Sequence, residues 1–307
     1  MKLRLGTRGS ALALAQSNDV AAKLRANGHE PEIVIVSTVG DRVTDRSFIE
    51  VGSFGVFVRE LENALLDRTI DAAVHSYKDV PSRMPAGLVI AAVPERVDAA
   101  DVLLVRREAL VDGTNGIPLA TGARVGTSAT RRRALLLAAR PDLDIGLLRG
   151  NVPTRVRSLT DGNFDAIVLA AAGLERLARA DGDARLTLGS DIVSVRLDPA
   201  LFTPAPSQGA IAVQVRENDA AIHTAIASLD DPSCRRAVQA ERAALYLADG
   251  GCTLPFGAWC SVTNDTLSLS VALGLEDGTV MRSAAYGTDP QQVANAAWAG
   301  VSRGVNA

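Results

Sequence analysis

The sequence predicts an α/β protein made of two similar lobes of alternating strands and helices, followed by a smaller α+β domain. Strand–helix–strand alternation runs from the N-terminus to about residue 93, the pattern of a mostly parallel sheet. It stops at "PERVDAAD" (94–101), where proline and charge read as a linker, and then restarts with a segment built like the first. In the last third of the chain a long helix is followed by three strand-like runs and a final helix, which is a different kind of organisation.

The elements follow in order. Residues 2–6 alternate toward a short strand, and Ser10 is a good N-cap for a helix reaching about Ala26. "EIVIVST" (32–38) reads as a buried strand, "VFVRELENALLDR" (56–68) carries apolar residues at helical spacing, and "TIDAAVHS" and "GLVIAAV" (87–93) are strands. After the break, "ARVGTSATRRRALLLAA" (123–139) repeats the strand, Gly-Thr, helix logic of "LRLGTRGSALALAQ" (3–16). A strand at 144–148, a helix after Asn151, a strand at 164–170 and a short helix near Ala171 complete the second lobe. The Pro-rich stretch 198–216 passes through a loop into an apolar strand. A helix from about Ser233 to Ala248, strands near 258–263, 267–273 and 279–286, and a helix near 290–302 make the last domain.

Composition narrows the function classes. A chain of 307 residues exceeds one typical hydrophobic core, so two or three domains are expected. The formal charge of −3 gives no bulk attraction to nucleic acid or to an anionic membrane, so any cationic site is local. No stretch approaches the roughly 18 apolar residues of a membrane span, and the N-terminus lacks the apolar core of a signal peptide. The cysteines Cys234, Cys252 and Cys260 cannot all pair and lack zinc-site spacing, which fits a reducing compartment. The expectation is a soluble cytoplasmic enzyme with a small-molecule substrate, no nucleic-acid or membrane partner and no metal; nothing demands an oligomer, so a monomer is expected.

Three features carry chemistry. The first is arginine at helix starts, where the helix dipole disfavours cations. Arg131, Arg132 and Arg133 fall in a first turn, Arg8 precedes the cap Ser10, and Arg149 and Arg155 flank the cap Asn151. An anion shared by these starts in an interdomain cleft explains them, because guanidinium forks and free N–H groups bind carboxylate or phosphate together. Solvated arginines, or arginines paired with acids elsewhere, are the alternative. No phosphate-binding glycine motif is present, so a nucleotide is disfavoured.

The second feature is "HSYKDVP" (75–81), at the carboxyl end of a strand, where ligands of open α/β sheets bind. Lys78 can meet a substrate carboxylate and Asp79 can serve proton transfer, while His75 reads first as a structural histidine. The third is "GGCTLPFG" (250–257), in which two glycines set Cys252 on a loop where nearby cations would make it a competent nucleophile. Cys234 and Cys260 read as small buried apolar residues.

In their order and spacing these segments resemble the porphobilinogen deaminase (hydroxymethylbilane synthase) family. The resemblance runs through "GTRGSALALAQ" (6–16), "GVFVRELENALL" (55–66), "DAAVHSYKDVP" (71–81), "VGTSATRR" (125–132), "LRGNVPTR" (148–155), "LAAAGLERL" (169–177), "PAPSQGAIAVQVR" (204–216) and "GGCTLPFG". It implies two doubly wound lobes like those of periplasmic binding proteins. Domain 1 would span 1–98 and 196–217, domain 2 would span 99–195, and a third domain, 218–307, would carry the cofactor cysteine. It implies head-to-tail condensation of four porphobilinogen molecules with release of ammonia, giving linear hydroxymethylbilane. It also implies a dipyrromethane cofactor joined by a thioether to Cys252, with Asp79 as the catalytic acid.

By the same resemblance Lys78, Ser10, Ser128, Arg131, Arg132 and Arg155 bind the cofactor. Arg8, Arg149, Arg155 and Arg176 bind substrate side chains, and Gln16 lies in the first helix motif. The chain departs from the family pattern at Ala129, where a hydroxyl is usual, at Pro153, and at Phe54 in a loop that often carries lysine. A non-catalytic two-lobed carboxylate receptor and an unrelated cysteine-nucleophile transferase are the competing readings. The receptor would need neither Cys252 and Asp79 in their motifs nor a third domain.

Overall fold

A computed structural model of the chain describes residues 1–36, 56–111, 116–180, 186–248 and 254–302. It divides into two compact units. The first is built mainly from Met1–Val97 and Ala210–Arg235, and the second from Asp98–Arg179, Arg185–Gly209 and Arg236–Ala307. Among the described residues no helix is long and apolar enough to cross a membrane.

The first unit is a five-stranded sheet between helices. Its strands are β1 (Lys2–Thr7), β2 (Glu30–Ile35), β3 (Ala72–Ser76), β4 (Leu88–Ala92) and the returning β10 (Ile211–Arg216). The order is β2-β1-β3-β10-β4, with β1 parallel to β2 and β3, and β10 antiparallel to both its neighbours. Helix α1 (Ala11–Ala26) starts where predicted: Ser10 accepts a hydrogen bond from the Ala13 N–H at 3.3 Å, and Lys23 and Arg25 suit the negative end of the dipole. Its buried face, Val20, Ala21 and Leu24, packs with Leu3, Leu5, Val213 and Val215. Helix α2 (Val56–Leu66) covers the other face through Leu61 and Leu65, with Ile70 and Leu88.

The second unit repeats this plan. Its sheet has β5 (Asp101–Arg106), β6 (Arg124–Gly126), β7 (Asp144–Gly146), β8 (Ala166–Ala170) and β9 (Ile192–Arg196) in the order β7-β6-β8-β5-β9. β6 is parallel to β7 and β8, and β5 is antiparallel to β8 and β9. Both sheets therefore share one arrangement, four parallel strands with an antiparallel strand second from one edge. In each, the antiparallel strand is the one entered from the other unit's chain: β5 after the linker and β10 on the return. The Gly-Thr echo has a packing cause as well. A Cβ on Gly6 would lie 2.3 Å from Ile70 Cδ1, and one on Gly126 would lie 3.0 Å from Leu148 Cδ2, so in β1 and β6 alike glycine leaves room for the side chain that presses on the strand.

Helices α3 (Thr130–Ala139), α4 (Val152–Thr160) and α5 (Ala171–Arg179) connect the second sheet. Asn151 caps α4 through Thr154 N–H at 2.9 Å. Pro153 falls in the first turn, where no intrahelical donor is lost, so this departure costs no backbone hydrogen bond. The N-cap of α3 is Ala129, which supplies no side-chain cap.

Three elements went unread in the sequence. β5 and β9 lie in stretches where charge or a short length hid them, and α6 (Ala220–Ala227) packs Ile222, Ala225 and Ile226 into the core of the first sheet, in a stretch expected to open the third domain. The linker is shorter than 94–101, because Asp101 is the first residue of β5 and is fully buried. The C-terminal α+β part consists of α7 (Pro232–Ala248), the antiparallel meander β11 (Phe256–Thr263), β12 (Thr266–Gly274) and β13 (Val280–Gly287), and α8 (Pro290–Ser302). Its core joins Ala240, Ala244, Leu267, Leu269, Val293 and Ala297, and Phe256 meets Trp298 edge to face at 6.0 Å.

Candidate active site

In the first unit, β1 and β3 are adjacent and parallel, so their carboxyl ends deliver Arg8 and Ser10 beside Lys78 and Asp79. The 3₁₀ turn Tyr77–Asp79 is anchored on both sides. Tyr77 and Val80 are buried, the Tyr77 N–H donates to Ala210 O at 3.0 Å, and the Val80 N–H donates to Tyr77 O at 3.1 Å. Asp79 is held between two buried residues with its own side chain open to solvent, and Lys78 is half-buried. Dense protein around the Asp79 carboxyl raises its pKa by desolvation, while Lys78 and then Arg8 pull it down; the net shift is upward.

Gln16 is buried and exchanges two hydrogen bonds with Ser76, at 2.8 and 3.1 Å, which ties α1 to the end of β3. His75 is structural: it is buried, its Nε2 lies 3.0 Å from Gln214 Oε1, and Gln214 in turn donates to Glu62 at 3.2 Å. Burial lowers the His75 pKa to about 4, with Gln214 opposing, so the ring is neutral at physiological pH.

In the second unit the arginines divide into two kinds. Arg131 and Arg132, both buried on α3, converge on Asp101. Arg131 Nη2 lies 2.8 Å from one carboxylate oxygen, and Arg132 Nη2 and Nε lie 2.7 and 3.1 Å from the other. Their remaining contacts are also internal: Arg131 Nη1 donates to Thr203 O at 2.7 Å, Arg132 Nη1 donates to Val168 O at 2.9 Å, and Arg131 stands over the Phe202 ring. Burial alone would raise the Asp101 pKa, but Arg131 and Arg132, with hydrogen bonds from Arg132 and Gln208, hold it well below the ordinary carboxylate range. Arg176 is likewise buried and donates to Gly209 O at 3.0 Å.

Arg155 and Arg149 are the other kind. Arg155, half-buried in the first turn of α4, donates Nε to Gly150 O at 2.7 Å and forms no ion pair among the described residues. Burial, and then the like charge of Arg132, lower its pKa, although a guanidinium stays cationic. Arg149 and Ser128 are exposed and make no hydrogen bond or ion pair among the described residues. With no side-chain cap from Ala129 on α3, this region carries cationic and N–H donor capacity that the described residues do not satisfy.

Cys252 and Phe54 lie outside the described residues. The sequence reading also missed Asp101, Gln208 and Glu241, each fully buried and charged or polar. The one available signal was a lone acid between "AA" and the unbroken apolar run "VLLV".

The class these features define is a doubly wound α/β protein with a carboxylate at a strand end and, among the described residues, arginines near helix starts without an acidic partner. Residues 3–224 match the family model described as porphobilinogen deaminase, dipyromethane cofactor binding domain, and residues 235–302 match porphobilinogen deaminase, C-terminal domain. The chain belongs to the porphobilinogen deaminase family.

Among its relatives is the porphobilinogen deaminase of Syntrophobacter fumaroxidans, 43% identical over 292 residues, covering 94% of this chain and 90% of that one. That of Brevibacillus brevis is 43% identical over 293 residues, covering 94% and 90%, and that of Bacillus cereus is 40% identical over 296 residues, covering 95% and 91%. Of solved structures, an ABC-transporter periplasmic substrate-binding protein from Coxiella burnetii aligns with a TM-score of 0.43 and 20% identity, over 81% of this chain and 98% of that one. The residues present fit a polycarboxylate pyrrole cofactor, since Arg155, Arg149 and the uncapped start of α3 offer donors to its acid side chains.

Proposed function

We propose that this chain condenses four porphobilinogen molecules head to tail, with one ammonia released per addition, on a dipyrromethane held by a thioether to Cys252, and frees linear hydroxymethylbilane by hydrolysis. The observation that carries this reading is the unneutralised Arg155, half-buried beside Arg132 with no acidic partner among the described residues. Such a charge calls for an anion from outside, and each porphobilinogen brings two carboxylates. When bound, the dipyrromethane supplies the anchored acceptor for the first addition. Asp79 accepts a hydrogen bond from pyrrole nitrogen and offsets positive charge as ammonia leaves. Lys78, Arg8 and Ser10 on one unit, and Arg149, Arg155 and Ser128 on the other, hold acetate and propionate groups. Arg131, Arg132 and Arg176 add cationic field from their buried positions.

In this reading the Asp79 lobe, the arginine lobe and the Cys252 carrier that begins with α7 are three functional domains. The enzyme acts as a monomer in the cytoplasm, a reducing compartment that suits three cysteines without the spacing of a disulfide framework or zinc site. Intact-mass spectrometry is the direct test: the purified chain should carry the extra mass of a dipyrrole, and Cys252→Ser should lack it. Unmodified protein from a porphyrin-making host would instead favour a two-lobed carboxylate receptor.

Arg155→Leu should raise the KM for porphobilinogen by about tenfold or more, because a charge-assisted carboxylate contact is lost. It should leave the melting temperature nearly unchanged, since only the bond to Gly150 O disappears. An unaltered KM would remove Arg155 from carboxylate binding.

A further inference from the structure

The "PAPSQGAIAV" segment holds a residue in an unusual conformation. Ser207 is fully buried with φ +64°, in the left-handed region that disfavours a side chain, and its hydroxyl is buried without a hydrogen-bond partner among the described residues. Such a conformation persists only when its surroundings impose it. What imposes it is Glu241 on α7, fully buried, whose Oε2 accepts the Ser207 N–H at 2.6 Å while its Oε1 accepts the Cys260 N–H at 2.8 Å. The next residue, Gln208, donates Nε2 to Asp101 Oδ1 at 3.0 Å and to Ala99 O at 2.8 Å. Asp101 holds Arg131 and Arg132.

A relay of hydrogen bonds thus runs from the helix that precedes Cys252 in sequence, through one strained turn, to the buried arginine pair. We propose that Glu241 is a positioning residue. By clamping the Ser207 turn it sets Gln208 and Asp101, and through them the placement of Arg131 and Arg132, whose cationic field acts on substrate carboxylates. This deepens the functional reading above and rests on it. A glutamine at 241 cannot do the same work, because its amide oxygen can accept one N–H while its NH₂ group faces the other donor. Released from the clamp, Ser207 would relax toward negative φ and carry Gln208 away from Asp101. A glycine at 207 adopts the same φ without strain, so it should keep the turn in place with the clamp weakened.

The test compares wild type, Glu241→Gln, Ser207→Gly and the double variant, each purified as holoenzyme and checked for the dipyrrole by intact mass. Glu241→Gln should raise the KM for porphobilinogen by roughly tenfold with a smaller change in kcat, and the double variant should regain most of that loss. Ser207→Gly alone should stay near wild type. If Glu241→Gln is too unstable to purify, recovery of holoenzyme yield and melting temperature in the double variant supports the clamp. No recovery of KM, or of yield, on adding the glycine would overturn it, as would a Glu241→Gln enzyme with wild-type KM. A wild-type chain without the dipyrrole would instead count against the underlying functional reading, which separates the two failures.

Discussion

Asp79→Asn is expected to lower turnover by about 10²–10³-fold while leaving the fold and the attached cofactor in place. The fold should survive because the turn is fixed by its neighbours. Tyr77 and Val80 are buried and their backbone amides are bonded, whereas the Asp79 side chain reaches solvent and props up nothing in the core. Turnover should suffer because asparagine keeps the shape and the hydrogen-bond acceptor but not the negative charge that offsets a developing cation.

The same residue should set the acid side of the pH profile. Desolvation raises its pKa against the pull of Lys78 and Arg8, so the carboxylate is lost on acidification at a higher pH than an unperturbed aspartate would be. Since the active form is the anion, kcat should fall as pH drops through that raised value, and this limb should vanish from the residual activity of Asp79→Asn. Turnover within a few-fold of wild type in the variant, or an unchanged acid limb, would remove Asp79 from the mechanism.

Much of the first unit was readable because its signals are local. Ser10 caps α1, the Gly-Thr pair closes β1, and the polar "YKD" follows the strand β3. Periodicity and capping depend on neighbours in sequence, and these elements follow their neighbours. The misses share a different cause. β5 is an antiparallel strand inserted into its sheet from the far end of a crossover and β9 is its edge neighbour, so their pairing depends on residues far away in the chain. Asp101 is the sharpest case. Beside "PERVDA" it looks like one more linker charge, yet it is fully buried because Arg131 and Arg132 reach it from some 30 residues further along the chain. The position of these arginines at helix starts was legible, but sequence alone could not separate those that face a buried acid from Arg155 and Arg149, which meet none among the described residues. That distinction depends on which way a side chain leaves its helix, and a first-turn position leaves both directions open.

The second large effect is at this buried triad. Asp101→Leu should destabilise the protein by roughly 3–5 kcal/mol, because two buried guanidiniums lose their shared counter-charge and repel each other. Gln208 would lose an acceptor as well. The linkage has a definite sign. The folded-state pKa of Asp101 lies below its unfolded value, so its stabilising contribution is complete above the unfolded pKa and is lost as pH falls toward the folded one. Wild type should therefore weaken steeply below about pH 4 through this group, and Asp101→Leu should show less of that dependence. The triple change Asp101→Leu, Arg131→Met, Arg132→Leu separates structure from function. If the triad is retained for binding, well-packed apolar replacements should recover most of the lost stability, since they remove the desolvation cost along with the ion pairs. Activity should remain absent, because the cationic field behind Arg155 is gone. A triple variant that melts as low as Asp101→Leu would mean the charges are needed to pack the lobe. One that turns over porphobilinogen normally would mean Arg131 and Arg132 act only within the fold.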